Sequence, residues 1–345
     1  MNATPAKMQF ATRPVGQTGL EITSLGLGGA TLAGMMARVP EQQARDTVAR
    51  ALDAGITYYD AAPQYGFGRA EHVIGDALRW RRSGTVLSTK VGRLLRPVQS
   101  EAERKYQHSW VDPFPFDMVY DYSYDGIRRS FEDSLQRLGL SSVDILYVHD
   151  IGKMTHGDRN AEYWAQLAGG GYKALQELKA QGTIKAIGLG VNEWEVLMDA
   201  FELGDWDVFL LAGRYTLLEQ TSLSPFLETC VKRKASVVCG GPFNGGALMG
   251  TGTWNYARAP QEVIDRVKKL EDYCKEAGVP IGAAALQFPL AHPALATVLP
   301  GPKSPAELEG ILDWWQVEIP DAFWDGLADQ RLVAPGTPLP NGRTA

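Results

Sequence analysis

The feature that most constrains the fold of this chain is an alternation of short apolar runs with amphipathic segments, which begins at Thr23. The eight runs are SLGLGG, TYYDAA, TVLSTKV, VDILYVH, IKAIGLGV, DVFLLAG, SVVCGG and LATVLPG. The amphipathic segments lie near residues 41–54, 69–80, 125–138, 171–181, 194–203, 223–234, 261–277 and 305–314. Strands that alternate with helices form a parallel sheet, and eight of them can close into a barrel. We therefore predict an α/β fold, a (β/α)8 TIM barrel, in which residues 1–345 form a single domain.

Two segments depart from this alternation. Residues 10–22, FATRPVGQTGLEI, predict a β-hairpin because Gly16 and Gly19 suit a tight turn. Residues 92–122 follow the third run and are longer than an ordinary connection. This long loop contains Trp110, Phe114 and Phe116, which favour a lid over a pocket. Disorder of residues 100–108 is the alternative.

Four polar residues lie at or just after the ends of the second, third and fourth runs: Asp60, Tyr65, Lys90 and His149. The carboxyl ends of barrel strands meet at one mouth, where barrel enzymes place their active sites. A buried lysine held by a carboxylate lowers the pKa of a nearby phenol, because its charge favours the phenolate. We therefore predict that Lys90 bridges Asp60 and the Tyr65 hydroxyl, which exchanges a proton with the substrate. We expect His149 to help lower the pKa of Tyr65 and to hydrogen-bond the substrate oxygen.

Composition excludes several other classes of protein. The net charge of -6 and the pI near 5.5 argue against a nucleic-acid or anionic-membrane partner. The three cysteines, Cys230, Cys239 and Cys274, lack C-x-x-C spacing, so neither a disulfide framework nor a metal site is indicated. We expect a cytoplasmic protein that binds a small-molecule substrate as a monomer or weak homo-oligomer.

The segments TYYDAAPQYG, LSTKVG and ILYVHD together resemble the aldo-keto reductase superfamily, and the resemblance runs from about Phe10 to Trp315. It implies that the hairpin plugs the amino-terminal mouth of the barrel. It also implies that Asp60, Tyr65 and Lys90, together with His149, are catalytic in hydride transfer to or from a nicotinamide cofactor. The cofactor would lie across the carboxyl mouth, since no G-x-G-x-x-G motif joins a strand to a helix.

The resemblance places cofactor contacts in the segments GGAT, GVNEW, GGPFNGGALMG and PGPKS. The residues implied are Gly28, Gly29, Thr31, Asn192, Gly241, Pro242, Phe243, Asn244, Gly246, Leu248, Gly301, Lys303, Ser304 and Glu307. Asn192 matches the contact to the nicotinamide carboxamide, and the glycine-rich loop matches the one under the pyrophosphate. Many relatives stack a tyrosine on the nicotinamide where this chain has Gly240, so Phe243 or Tyr215 would have to replace it.

The choice of cofactor is predicted from the segment after Lys303. Many NADPH-dependent relatives carry an arginine there that pairs with the 2′-phosphate, whereas this chain carries Glu307 and Glu309. A carboxylate suits a free 2′-hydroxyl and repels a phosphate. Lys303 can still bind a phosphate as a point charge. We therefore expect NAD, with NADP possible.

Three further segments, residues 111–140, 148–152 and 210–220, are similar to NAD-dependent aldose 1-dehydrogenases and to pyridoxal 4-dehydrogenases. The similarity implies oxidation of the anomeric hydroxyl of an aldose, such as L-fucose or a D-threo-aldose, to the lactone. The candidate substrate-binding residues are Trp110, Phe114, Arg214 and Trp254, with Asp121, Asn244 and Tyr256 as further candidates. Pyridoxal oxidation to 4-pyridoxolactone and general aldehyde or ketone reduction are alternatives. A cofactor-binding regulatory subunit and a metal-dependent hydrolase that uses histidine ligands are alternatives from other classes.

Overall fold

The computed structural model of the protein describes residues 8–255 and 257–345, so Tyr256 lies outside the described residues. The strands are β1 (Thr12–Pro14), β2 (Glu21–Thr23), β3 (Leu27–Gly28), β4 (Tyr58–Asp60), β5 (Val86–Val91), β6 (Arg93–Pro97), β7 (Phe116–Tyr120), β8 (Ile145–His149), β9 (Ala186–Val191), β10 (Val208–Ala212), β11 (Ser236–Gly240), β12 (Thr253–Trp254), β13 (Ala257–Arg258) and β14 (Leu295–Leu299).

Eight of these strands form one parallel sheet in the order β3, β4, β5, β8, β9, β10, β11 and β14. The sheet closes on itself, because Leu25 bridges Val298 in parallel and the Gly28 amide donates to the Pro300 carbonyl at 2.9 Å. β5, β8 and β9 are buried at every position. Strands covered on both faces are mostly apolar, which is why the runs stand out in the sequence. The predicted eight-stranded barrel is confirmed.

Helices surround the barrel and follow the predicted amphipathic segments closely. They are α1 (Glu41–Ala54), α2 (Arg69–Leu78), α3 (Tyr124–Leu138), α4 (Lys153–His156), α5 (Asn160–Gln166), α6 (Tyr172–Ala180), α7 (Glu195–Leu203), α8 (Glu228–Arg233), α9 (Gln261–Glu276), α10 (Ile281–Gln287), α11 (Pro305–Trp315) and α12 (Asp321–Asp329). In α3, the Ser123 side chain caps the first turn and Gly139 ends the helix in a left-handed conformation. No helix in the described ranges is long and apolar enough to cross a membrane.

The β1–β2 hairpin fills the amino-terminal mouth of the barrel, as predicted. Its two strands pair antiparallel, with Arg13 opposite Ile22. The side chains of Val15 and Ile22 are fully buried in a cluster with Tyr58 and Tyr147 from the barrel interior. The opposite, carboxyl mouth is therefore the one left for a site.

The long segment after β5 differs from the predicted loop, because much of it is a second antiparallel hairpin. β6 pairs with β7 from Arg93 opposite Tyr120 to Pro97 opposite Phe116, which leaves residues 98–115 as the tip. The buried carboxylate of Asp117 folds the tip back by accepting the backbone amides of Lys105 and Tyr106 at 3.0 and 3.2 Å. The tip is thereby held beside the carboxyl mouth.

Candidate active site

A cavity of about 450 Å³ opens at the carboxyl mouth of the barrel. Its floor comes from the ends of β5, β8, β9 and β10, and one wall comes from residues 106–110 in the tip of the β6–β7 hairpin. Three of the four predicted catalytic residues, Tyr65, Lys90 and His149, line this cavity, and Asp60 lies directly behind Lys90. The structure therefore brings the four residues together, as the barrel prediction requires.

Asp60 and Lys90 form a buried ion pair. The Lys90 ammonium donates to Asp60 Oδ2 at 2.5 Å, and the two side chains are 1% and 2% exposed. Burial lowers the pKa of Lys90, because water no longer stabilises its charge, while Asp60 opposes this change. Ser88 Oγ donates to the other Asp60 oxygen at 2.7 Å. Gly190 leaves room for the lysine stem, since a Cβ there would lie 3.2 Å from Lys90 Cε.

The predicted bridge from Lys90 to the Tyr65 hydroxyl is wrong for this structure. The ammonium instead lies over the face of the Tyr65 ring, 4.5 Å from its centroid, and donates to Asp60 and to the Ala61 carbonyl at 3.0 Å. The predicted lowering of the Tyr65 pKa is wrong as well. Burial raises this pKa well above its ordinary value, the charges of Asp60 and Asp150 raise it further, and Arg93 opposes them.

His149 is held as a neutral imidazole. Burial lowers its pKa well below the ordinary value, and the positive charges of Arg93 and Lys90 act in the same direction. Its ring meets the Tyr65 ring edge-on at a centroid distance of 5.8 Å. A neutral His149 adds no positive charge that could favour the Tyr65 phenolate. It can still hydrogen-bond an oxygen in the cavity.

Sequence reasoning missed a polar network in the cavity wall. Arg93, at the start of β6, donates through Nη2 to Asp150 Oδ2 at 2.7 Å and through Nη1 to Gln64 Oε1. Gln64 in turn donates to the Tyr106 hydroxyl at 2.7 Å. The Tyr120 ring lies under the Arg93 guanidinium at 5.5 Å. Asp150 was visible as the neighbour of the candidate histidine, whereas nothing local in RLLRP indicates that Arg93 points into the barrel mouth.

The first and last cofactor segments meet where the barrel closes. Gly28 ends β3, and its amide donates to the Pro300 carbonyl. Thr31 Oγ1 donates to the Pro302 carbonyl at 3.2 Å. A Cβ on Gly301 would lie 2.8 Å from Thr31 Oγ1. The Gly29 amide donates to the Asp60 carbonyl at 2.9 Å. These backbone contacts place both segments beside the catalytic candidates.

Asn192 lines the cavity and donates through Nδ2 to Asp150 Oδ1 at 3.1 Å. Its side-chain amide is the group expected to meet a nicotinamide carboxamide. Arg214 lies behind it and donates to the Asn192 carbonyl at 2.8 Å and to Asn255 Oδ1 at 3.0 Å. Arg214 therefore supports the cavity wall through Asn192 and Asn255, both of which line the cavity, rather than lining it itself.

The glycine-rich segment after β11 turns sharply. Gly241 and Gly246 have φ of 58° and 97°, and a Cβ on Gly241 would meet no atom within 4 Å. This open space suits close approach of a phosphate to the backbone next to Pro242. The Asn244 side chain is occupied within the protein, since it accepts from Thr216 Oγ1 at 2.6 Å and donates to the Gly213 carbonyl at 3.0 Å.

The two rings expected to stack on the nicotinamide do not line the cavity. Phe243 packs edge-on against Trp314, and Tyr215 stacks on Phe288 in the interior. Leu248, like Tyr215, is buried. The cavity wall at the end of β10 is instead aliphatic, from Leu210 and Ala212.

The last of the four segments, PGPKS, leads into α11 and caps its first turn. The Ser304 side chain accepts the Glu307 amide at 3.1 Å, and Glu307 accepts the Lys303 amide at 2.8 Å. One cation beside this segment was not predicted, because it lies far away in the sequence. Arg50 on α1 donates through Nη2 to Glu309 Oε2 at 3.0 Å. Glu309 is thus paired with Arg50, and Glu307 is paired with Lys303, whose Nζ lies 3.5 Å from Glu307 Oε1.

The predicted substrate-binding rings separate into two groups. Trp110 lines the cavity and packs against Tyr65 at a centroid distance of 5.8 Å. Phe114 packs against His72 on α2 at 5.1 Å, away from the cavity. Trp254 donates to Glu219 at 2.6 Å and lies outside the lining as well. The tip therefore brings Trp110, but not Phe114, to the cavity.

Comparisons with known proteins agree with this arrangement. Residues 24–329 match the sequence profile of the family described as "Aldo/keto reductase family". The chain belongs to the aldo/keto reductase family. It is 45% identical to pyridoxal 4-dehydrogenase of Microbacterium luteolum, over 93% of this chain and 98% of that protein. It is 35% identical to D-threo-aldose 1-dehydrogenase of a Pseudomonas species, over 91% of this chain and 96% of that protein.

Solved structures show the same fold. An aldo-keto reductase from Bacillus halodurans in its holo form superposes with a TM-score of 0.72 at 23% identity, over 94% of this chain and 97% of that one. Together, the family and these dehydrogenase relatives show that the protein is an NAD(P)-dependent oxidoreductase that uses a nicotinamide cofactor. Asn192, the open turn at Gly241 and the N-terminus of α11 offer an amide, backbone donors and a helix dipole, which fit such a cofactor.

Proposed function

We propose that this family member oxidises a cyclic hemiacetal to a lactone. The observation that carries the proposal is the convergence of Tyr65, the Asp60–Lys90 pair and His149 on one cavity. Oxidation removes a hydride from the carbon and a proton from its hydroxyl, which leaves the carbonyl of the lactone. The nicotinamide, when bound, supplies the acceptor for the hydride.

The remaining steps belong to the protein's own residues. His149, as a neutral imidazole, donates to the oxygen of the reacting hydroxyl and fixes its position. Tyr65 accepts the hydroxyl proton as the phenolate. Lys90 keeps a positive charge over the Tyr65 ring, and Asp60 keeps that charge in place. Trp110 lines the cavity and helps to exclude water from the reacting atoms.

Pyridoxal is the first substrate to test, since the identity to pyridoxal 4-dehydrogenase is 45% against 35% for the sugar enzyme. Pyridoxal forms a hemiacetal, and its flat ring suits a cavity that contains Tyr65, Trp110 and Tyr120. An aldose such as L-fucose or a D-threo-aldose is the second candidate. The polar wall of Gln64 and Asp150 favours it, because sugar hydroxyls need several hydrogen-bonding partners.

Carbonyl reduction is a second reaction that one observation favours. The raised pKa of Tyr65 keeps its hydroxyl protonated at neutral pH, which is the form that donates a proton to a reduced carbonyl. The direction of the reaction therefore depends on pH. Oxidation is expected to dominate in alkaline solution.

A substrate panel tests the proposal. Pyridoxal, L-fucose, D-galactose and D-arabinose would be incubated with NAD and with NADP at pH 7 and pH 9, and the reduced nicotinamide followed by absorbance. Mass spectrometry would identify the lactone. We expect lactone with at least one of these compounds and none from Tyr65→Phe. If the wild-type protein oxidises none of these hemiacetals at either pH but reduces simple aldehydes with NADH or NADPH, the protein is a reductase rather than a dehydrogenase.

A further inference from the structure

The acidic residue after the candidate histidine lies beside the place where the reacting oxygen would bind. Asp150 Oδ2 is 3.5 Å from Nε2 of His149, and its side chain is 13% exposed and lines the cavity. Asp150 also has a φ of 43°, a left-handed conformation that is uncommon for a residue other than glycine. Such backbone conformations are concentrated at functional sites.

The Asp150 carboxylate is fixed from its protein side. Arg93 donates to Oδ2 at 2.7 Å, and Asn192 donates to Oδ1 at 3.1 Å. A carboxylate has about four acceptor positions, so these bonds leave lone pairs for a ligand. Because Asp150 lines the cavity, a ligand bound there can reach it.

The Arg93–Asp150 pair is poorly explained by stability alone. The Arg93 side chain is 1% exposed, and its buried Nε finds no acceptor within residues 8–255 and 257–345. Removing an arginine so completely from water costs free energy that an ion pair rarely recovers, and an apolar pair would stabilise the fold as well. Recognition of a ligand gives the pair a function at this position.

We propose that Asp150, held in place by Arg93, accepts a hydrogen bond from a second substrate hydroxyl that neighbours the reacting centre. The inference rests on the proposed function, since it assumes that His149 binds the reacting oxygen. In an aldose the 2-hydroxyl, and in pyridoxal the ring phenol, lies about one hydrogen-bond length from that oxygen. An oxygen on His149 Nε2 therefore leaves this neighbour within reach of Asp150 Oδ2. Asp150 selects substrates that carry such a hydroxyl.

Matched ligand pairs test this assignment by binding alone. The pairs are D-galactose with 2-deoxy-D-galactose, L-fucose with 2-deoxy-L-fucose, and pyridoxal with 3-O-methylpyridoxal. Dissociation constants would be measured by calorimetry with NADH present in the Tyr65→Phe background, so that no turnover occurs. We expect the compound with the hydroxyl to bind at least about tenfold more tightly in one or more pairs, the size of a hydrogen bond to a charged acceptor.

Asp150→Asn should reduce this ratio by about fivefold or more, because asparagine tolerates the backbone conformation but offers a neutral acceptor. Glu193→Gln is the matched control, since Glu193 accepts the Met154 amide at 2.9 Å near the mouth without lining the cavity, and it should keep the ratio. If Asp150→Asn does not fold, the double variant Arg93→Met, Asp150→Asn removes the unpaired charge and should show the same reduced ratio.

The two possible failures are separable. Equal affinity within every pair, or a ratio that Asp150→Asn leaves unchanged, would overturn the role of Asp150. If the ratio behaves as expected but the wild-type protein forms no lactone, Asp150 keeps its assignment and the proposed oxidation is rejected.

Discussion

At the scale of single residues, oxidation requires the Tyr65 hydroxyl to lose its proton, although its surroundings favour the protonated form. Burial, Asp60 and Asp150 all raise its pKa. Below that pKa the phenolate fraction rises about tenfold for each pH unit, and kcat/KM for oxidation should rise with it. Tyr65→Phe should lower kcat about 100-fold or more and abolish this slope, while NADH affinity by fluorescence stays unchanged. A variant that keeps most of its activity, or a wild-type rate that is flat between pH 6 and pH 9, would exclude Tyr65 as the base.

The Asp60–Lys90 pair should separate stability from catalysis. Lys90→Met leaves the Asp60 carboxylate buried without its partner, so we expect a loss of about 3–5 kcal/mol of unfolding free energy together with loss of turnover. The double variant Lys90→Met, Asp60→Asn removes both charges. It should recover much of the stability in urea denaturation and none of the activity. Recovery of activity with stability would show that the pair only supports the fold.

At the scale of secondary-structure elements, the barrel strands and the long helices between them were predictable, since the strands are mostly apolar runs and the long helices carry an apolar stripe. α3 was predicted at 125–138 and spans Tyr124–Leu138. The β6–β7 hairpin was not predicted, because an 18-residue tip separates its two strands and no short turn motif marks their pairing. The orientation of Arg93 depends on that hairpin, so the polar wall of the site could not be derived from the sequence.

The tip of this hairpin supplies a test with a control built into the chain. Trp110 lines the cavity, whereas Phe114 packs on His72 outside it. Trp110→Ala should raise KM for the substrate about tenfold or more, because it removes a large apolar wall, and should leave the dissociation constant for NADH nearly unchanged. Phe114→Ala should lower the melting temperature without raising KM. Equal effects of the two substitutions on KM would show that the tip acts only as a structural unit.

The N-terminus of α11 carries the prediction on cofactor choice. Glu307→Gln keeps an acceptor for the Lys303 amide but removes the charge expected to repel a 2′-phosphate. Because Glu307 is half exposed, water screens this charge, and we expect kcat/KM with NADP to gain only about 2- to 5-fold relative to NAD. Glu276→Gln removes the same charge from an exposed position at the end of α9 and should leave the cofactor ratio unchanged. The same gain in both variants would mean that net charge, rather than Glu307, sets the preference.

At the scale of the whole molecule, the barrel explains why a sequence can reveal the site before the structure is known. Asp60, Lys90 and His149 lie on three strands that are neighbours in the sheet, so their convergence follows from topology alone. The placements of Phe243, Tyr215 and Phe114 failed because each depends on side-chain packing against a partner distant in sequence. All three cysteines are free and buried, and a cytoplasmic location stays a prediction.

The last prediction concerns acid stability, to which three histidines contribute. Burial lowers the pKa of His156 and of His292 from 6.5 to about 4, and that of His149 well below its usual value. In the unfolded chain these groups bind protons from about pH 6.5 downward, while the folded protein stays neutral at these positions until about pH 4. The unfolded state therefore binds more protons in this window, and the unfolding free energy should fall as the pH drops from 6.5 to 4.

Urea denaturation at half-unit steps between pH 4 and pH 7.5 measures this slope. The double variant His156→Gln, His292→Asn keeps a hydrogen-bonding partner for the Tyr122 hydroxyl and an acceptor for the Ala294 amide but removes two of the titrating groups. It should flatten the slope between pH 6.5 and pH 4 while matching the pH 7.5 stability of the wild type within about 1–2 kcal/mol. An unchanged slope would assign the acid sensitivity to carboxylates instead, and the neutral state of these histidines would then lose its thermodynamic support.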